Sequence, residues 1–111
     1  MTVVEEVLVA LADPNRRELL EQISRHGEAT ATMLAEHVPI TRQAVVQHLA
    51  VLDAVGLVVG RHTGREHRFE LRTERLSETA KWMQGLADQW DRRLQAIRDI
   101  AEREVDGPER E

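Results

Sequence analysis

Apolar residues in this chain recur at helical spacing over most of its length and at alternate positions over one short stretch. Val3, Val4, Val7, Leu8 and Leu11 share one side of a helix that the spacing predicts to stop near Ala12. Asp13-Pro14 follows, an N-cap side chain and a proline at the first helical position, where the missing N–H costs nothing. Leu19, Leu20 and Ile23 carry the apolar face of this second helix, and Gly27 after His26 ends it. A third, short helix is predicted from about Ala31 to His37, capped by Thr30, with Met33, Leu34 and Val38 as its apolar side. The residue before a proline is pushed out of the helical region, so Val38-Pro39-Ile40 is a tight turn. Thr41 then caps a fourth helix running to about Val55 and ended by Gly56.

Helix, three-residue turn and helix make a helix-turn-helix arrangement. From Leu57 the period changes to two. Leu57 and Val59 alternate with Val58, a turn falls at Thr63-Gly64, and His67, Phe69 and Leu71 alternate with Arg68, Glu70 and Arg72. These are two strands of a charged hairpin, one face on the core with His67 inward, the arginine face offered to an anion. A hairpin after such a helix is a wing.

Thr73 with Glu74 opens a last helix, which tolerates Gly85 and runs to roughly Glu104. Its apolar residues Leu76, Ala80, Met83, Ala87, Trp90, Leu94, Ile97 and Ala101 form a heptad seam, widened by Leu86 and Ile100. Such a helix extends past what the preceding head can cover, so the seam needs a partner, most economically a second copy. The interface of that homodimer is assigned to Val4, Leu8, Met83, Leu86, Ala87, Trp90, Leu94 and Ile97. Trp82 lies off the seam and is expected to pack on the head of its own subunit. The fold class is mainly α with a small β-hairpin wing, dimeric through the first and last helices. One domain is expected over residues 1–105, its dimerisation helix at about 74–104, with 106–111 a frayed tail.

At 111 residues the chain has room for one core, and 32% charged residues with three aromatics suit a helical protein better than a β-sandwich. The longest apolar run, Val7 to Ala12, is far short of the roughly 20 residues that cross a bilayer, and Glu5 and Glu6 spoil a signal peptide. A cytoplasmic location without membrane contact is expected. The absence of cysteine removes disulfides, thiolate metal sites and cysteine nucleophiles. A net charge of −5 argues against a polyanionic partner, but the charge is unevenly placed. Between Thr41 and Arg72 five arginines face three acids, which makes that segment +2 and leaves −7 elsewhere. His48, His62 and His67 lie in the same segment.

The run Ala10-Leu-Ala-Asp-Pro-Asn-Arg-Arg-Glu-Leu-Leu20, then Leu34-Ala-Glu36, Thr41-Arg-Gln-Ala-Val-Val-Gln-His-Leu-Ala-Val-Leu52, Ala54-Val-Gly-Leu57, and Gly64-Arg with Phe69-Glu-Leu71 resembles the ArsR/SmtB family of bacterial winged helix-turn-helix repressors. The resemblance covers about Val7 to Leu71. It implies a homodimer whose fourth helices enter successive major grooves of an imperfect inverted repeat in double-stranded DNA, with the wing along the flanking backbone.

On the fourth helix Ala44, Val45, Leu49 and Leu52 form the inward stripe, leaving Arg42, Gln43, Val46, Gln47 and Ala50 outside. Arg42 suits guanine O6/N7 or a phosphate, Gln43 and Gln47 suit adenine N6/N7, and Val46 suits a thymine methyl. Thr41 serves as a cap and as a phosphate ligand. Arg61, His62, Arg65 and Arg68 of the wing are assigned sequence-independent backbone contacts, against the alternative of ion pairs within the wing. His48 is either a phosphate contact or a packing residue. Many family members carry small hydroxyl residues near positions 43 and 46, so their operator does not transfer to this chain.

Members that sense arsenic, cadmium or lead use a Cys-x-Cys pair where this chain has Thr30 and Thr32, and zinc-sensing members use histidines of the last helix, where none follows His67. No metal site and no cofactor are expected. Release by a small organic effector seated near Met83, Leu86 and Trp90, or control by protein concentration alone, both stay open. The competing class is a protein-interaction module on the same scaffold that has lost DNA. An enzyme would need a nucleophile with a base in reach, paired carboxylates in a cleft or a metal with an open position, and the chain has no cysteine, no Gly-rich phosphate loop and no His-Glu-x-x-His motif.

Overall fold

A computed structural model describes the backbone of residues 1–109 and the side chains of residues 1–104. The elements run α1 (Val3–Leu11), α2 (Pro14–His26), β1 (Glu28–Thr30), α3 (Ala31–His37), α4 (Arg42–Ala54), β2 (Val58–Thr63), β3 (Glu66–Leu71) and α5 (Glu74–Glu109). By its internal contacts the chain divides into two units, Met1–Thr79 and the part from Ala80 onward.

Three of the side-chain caps foreseen from sequence are in place. Asp13 Oδ1 accepts from the Asn15 and Arg16 N–H groups at 2.8 and 3.4 Å, Thr30 Oγ1 from Met33 N–H at 3.2 Å, and Thr41 Oγ1 from Ala44 N–H at 3.1 Å. The C-terminus of α4 closes as a Schellman motif. Gly56, at φ 80°, donates to Asp53 O, and Leu57 donates to Leu52 O at 2.9 Å. The two leucines of that motif are both buried.

Arg16 and Arg17 satisfy the open end of α1. Arg16 Nε donates to Ala10 O at 2.7 Å and its Nη2 to Val9 O at 3.3 Å, while Arg17 Nη1 donates to Leu11 O at 2.7 Å. Carbonyls at the open end of the helix thus receive charged donors, Val9 O in addition to the Ala12 N–H. Burial pushes the Asp13 carboxyl up, but the N–H groups of Asn15 and Arg16 and the charges of His48 and Arg16 outweigh it, holding Asp13 below its ordinary 3.8. A lowered carboxyl contributes its stability above the unfolded value and loses it as pH falls through the folded one. The Tm should therefore decline below about pH 4, and Asp13→Asn, which keeps a cap but no charge, should flatten that decline. Identical acid limbs in the two proteins would overturn the assignment.

The core of the first unit gathers Val7, Leu19, Ile23, Ala29, Leu34, Val45, Leu49, Leu52, Leu57, Val58 and Phe69. Helix α2 is central, packing on α1, α3, α4, β1 and β3. The sheet has the order β1-β3-β2 and is antiparallel throughout, with Ala29 opposite Phe69 and Gly60 opposite Phe69 on the other side. Strand β1 lies outside the sequence expectation, because three residues between two helix caps are too few to display alternation. The phase of β2 also differs from the expected one. Val58 points inward, since Leu57 is spent on the Schellman motif and lies before the strand.

Helix α5 continues to Glu109, past the expected end near Glu104 and into the stretch expected to fray. The last two residues of the expected tail lie outside the described residues. Near its start, Thr79 is buried and donates to Arg75 O at 2.8 Å. From Ala80 onward the seam faces solvent, with Trp90 53% and Ile97 61% exposed. Trp82 is 47% exposed. No described helix is long and apolar enough to cross a membrane.

Candidate nucleic-acid interface

Helix α4 is seated by Val45, Leu49 and Leu52 and turns Arg42, Gln43, Val46, Gln47 and Ala50 to solvent, as the periodicity requires. Thr41 is exposed and engaged as the cap. His48 is drawn elsewhere. Its Nδ1 lies 3.4 Å from Arg16 Nη1. His48 thereby ties α4 to the residue that caps α1, as the packing alternative requires.

The wing turn joins Thr63 to Glu66 through Gly64-Arg65, with φ 63° at Gly64 and no positive φ at Arg65. That combination is a type II′ turn, which takes glycine at its first central position. Arg65 is left at the tip, exposed and without an ion pair among the described residues.

The other wing arginines are not equally free. Arg61 and Arg68 are cross-strand partners, a repulsive juxtaposition. Each is compensated by acids of the same face. Arg68 meets Glu66 at 2.7 Å and Glu28 at 3.1 Å, and Arg61 meets Glu70 at 3.7 Å. The hydrogen bond and charge of Glu66 raise the Arg68 guanidinium above its ordinary value despite some desolvation. An arginine held by two carboxylates reaches a phosphate only by giving them up. The ion pairs foreseen as an alternative therefore exist, but at Arg61 and Arg68 rather than at Arg65.

His67 lies on the inner face of β3 yet is exposed, because the core ends at Phe69. Its ring is sandwiched between His62, stacked with centroids 4.1 Å apart, and Phe69 at 4.4 Å. A Cβ at Gly60 would run into the His67 ring, so that glycine makes room for it. The expectation of a buried, satisfied His67 is thus corrected.

Between α3, α4 and the wing runs a groove of about 680 Å³, to which Thr32, Arg42, Val46, Arg65, His67 and Phe69 contribute. The structure brings Arg42 and Val46 of α4 together with Arg65 of the wing tip, and adds His67 and Thr32, which sequence reasoning missed. Thr32 lies ten residues before Arg42, outside any local pattern that could have linked them. The groove therefore offers donors from Arg42, Arg65 and Thr32 and apolar surface from Met33, Val46 and Leu49, with the Glu66 carboxylate on the same wall paired to Arg68, an inventory that can meet base edges and an anionic backbone.

Among the described residues no group of three His, Asp or Glu could hold a metal. His26 and His37 meet edge to face, with centroids 5.1 Å apart, and each donates from Nδ1 to a carbonyl of its own helix, Gln22 O and Met33 O.

Residues 11–61 match the family model of a helix-turn-helix domain. The chain is 28% identical over 91 residues to the transcriptional repressor SdpR of Bacillus subtilis (strain 168), an alignment covering 82% of this chain and 100% of that one. Its fold superposes on an ArsR-like transcriptional regulator from Rhodococcus sp. RHA1 with a TM-score of 0.81 at 38% identity, over 89% of this chain and 92% of that one. A homodimeric winged helix-turn-helix DNA-binding domain from Mycobacterium bovis shares the fold at a TM-score of 0.62 and 24% identity, over 78% and 80% of the two chains.

Proposed function

This chain belongs to the ArsR-like family of winged helix-turn-helix transcriptional regulators, and on that premise we propose that it is a homodimeric repressor that binds an imperfect inverted repeat in a promoter. The observation that carries this reading is the groove in which Arg42 and Val46 of α4 meet the unpaired Arg65 of the wing. Arg42, Gln43, Val46 and Gln47 read base edges. Thr41 and Arg65 take phosphates, with His62 and His67 beside them, and Arg61 joins at the cost of one exposed ion pair.

The homodimer is supported by the exposed apolar row of α5, Met83, Trp90, Leu94, Ile97 and Ile100, and by Leu8 and Val9 of α1. The repressor output follows SdpR, and the assembly follows the homodimeric fold neighbour. Such a dimer works in the cytoplasm, where the chromosome is. Its two recognition helices enter major grooves about 34–36 Å apart. Its signal is a small organic molecule near Met83, Leu86 and Trp90, or protein concentration alone.

Fluorescence anisotropy on the DNA upstream of its own gene, against a scrambled duplex at two salt concentrations, tests the proposal. Tighter binding to the promoter with a steep salt dependence is expected. Arg65→Ala should weaken both duplexes alike and lower the salt slope by about 1, whereas Arg42→Ala should reduce the preference between them. Equal effects of the two substitutions on both duplexes would refute this division. The net charge of −5 and the self-paired wing arginines favour a second reading, an interaction module, and equally weak binding to both duplexes would give it precedence.

A further inference from the structure

Arg42 stands in the first turn of α4, where recognition helices meet base edges. A free arginine in that position loses much of its rotamer freedom on binding, and it has several ways to present its five N–H groups. Here one is already fixed. Arg42 Nε donates to Thr32 Oγ1 at 3.0 Å, across the turn that joins α3 to α4. Thr30, not Thr32, caps α3, so the Thr32 hydroxyl is not consumed by its own helix. With Nε turned back toward α3, the four N–H groups of the two Nη atoms remain for a partner. That paired end is the edge that spans two acceptors side by side, as guanine O6 and N7 are.

We propose that Thr32 is a positioning residue for base recognition, holding Arg42 so that its two Nη groups engage a guanine of the operator, while Thr32 itself touches no base. The inference rests on the DNA-binding reading above. It explains how an exposed arginine becomes selective, since a side chain fixed before binding accepts one geometry and rejects others. Both residues are exposed and Thr32 lies at the rim of the groove, so altering the hydroxyl leaves the core untouched.

Two measurements on the full chain test this. In the absence of DNA, the Nε–H resonance of Arg42, identified by its loss in Arg42→Lys, should be rigid and slow to exchange in the native protein and in Thr32→Ser. In Thr32→Val it should be mobile and fast. On DNA, Thr32→Val should reduce the preference for promoter over scrambled duplex roughly fivefold, the order of one hydrogen bond. Binding to the scrambled duplex should not change. Thr32→Ser should restore the preference, and Thr32→Val should add nothing in an Arg42→Ala background. Replacing the contacted guanine by 7-deazaguanine should reduce binding of the native protein more than that of Arg42→Ala.

An equally mobile Nε–H in the native protein and Thr32→Val, an unchanged preference, or equal weakening of both duplexes would overturn the proposal. Arg42 would then be a phosphate contact. If the native protein shows no preference at all, the DNA reading falls and the base-positioning role with it. A rigid Nε–H in that case separates the outcome from a failure of the Thr32–Arg42 contact.

Discussion

Trp90→Glu is expected to convert the proposed dimer into monomers, seen as a fall in sedimentation mass from two chains to one. Trp90 is 53% exposed in the single chain, and Leu94 and Ile97 follow it at heptad spacing. In a two-fold interface the same substitution occurs twice, and each new carboxylate enters an apolar seam without a cation to pair with. Uncompensated burial of one charge costs about 3–5 kcal/mol, so the double insertion exceeds what a single seam can absorb. DNA binding should suffer as well, although Trp90 lies far along the chain from α4. Two half-sites held together bind with an effective local concentration in the millimolar range, and separating them should weaken operator affinity by about 10²-fold or more. An unchanged sedimentation mass would place the interface elsewhere on the molecule.

Leu52→Ala is the second large effect and concerns the first unit. Leu52 is fully buried, and its carbonyl accepts the N–H that closes the Schellman motif of α4. Truncation of a buried leucine costs about 2–5 kcal/mol, set by how far the site can collapse. Against a total of about 5–15 kcal/mol for an ordinary domain, that loss should lower the urea midpoint clearly with an unchanged slope. Val46→Ala on the outer face of the same helix should stay within about 0.5 kcal/mol while still altering DNA binding. A loss below about 1 kcal/mol for Leu52→Ala would mean that α4 is not anchored as described.

The contrast between Leu52 and Val46 shows what one-dimensional information could resolve. Both belong to a helix whose cap, periodicity and stop are local, with Thr41, the Val45-Leu49-Leu52 stripe and Gly56 all within 16 residues. The inward and outward faces of α4 were therefore legible, as were the caps at Asp13 and Thr30. The wing was legible as a hairpin because Gly64 marks its turn, but its electrostatics were not. Arg68 is compensated by Glu28, forty residues earlier, on a strand too short to announce itself. His67 followed the alternation correctly and was still misplaced, because alternation gives a face and not the point at which the core ends.

By itself the sequence determined the order of elements, the inward stripe of each helix and the family to which the chain belongs. These rest on spacings of three, four or two residues and on caps that act within one turn. Tertiary structure alone decided which arginines keep their charge available, that His48 turns to Arg16, and that Thr32 holds Arg42. Those pairings join residues from two to forty positions apart, and a hydrogen bond or ion pair depends on distance in space, which local periodicity does not encode.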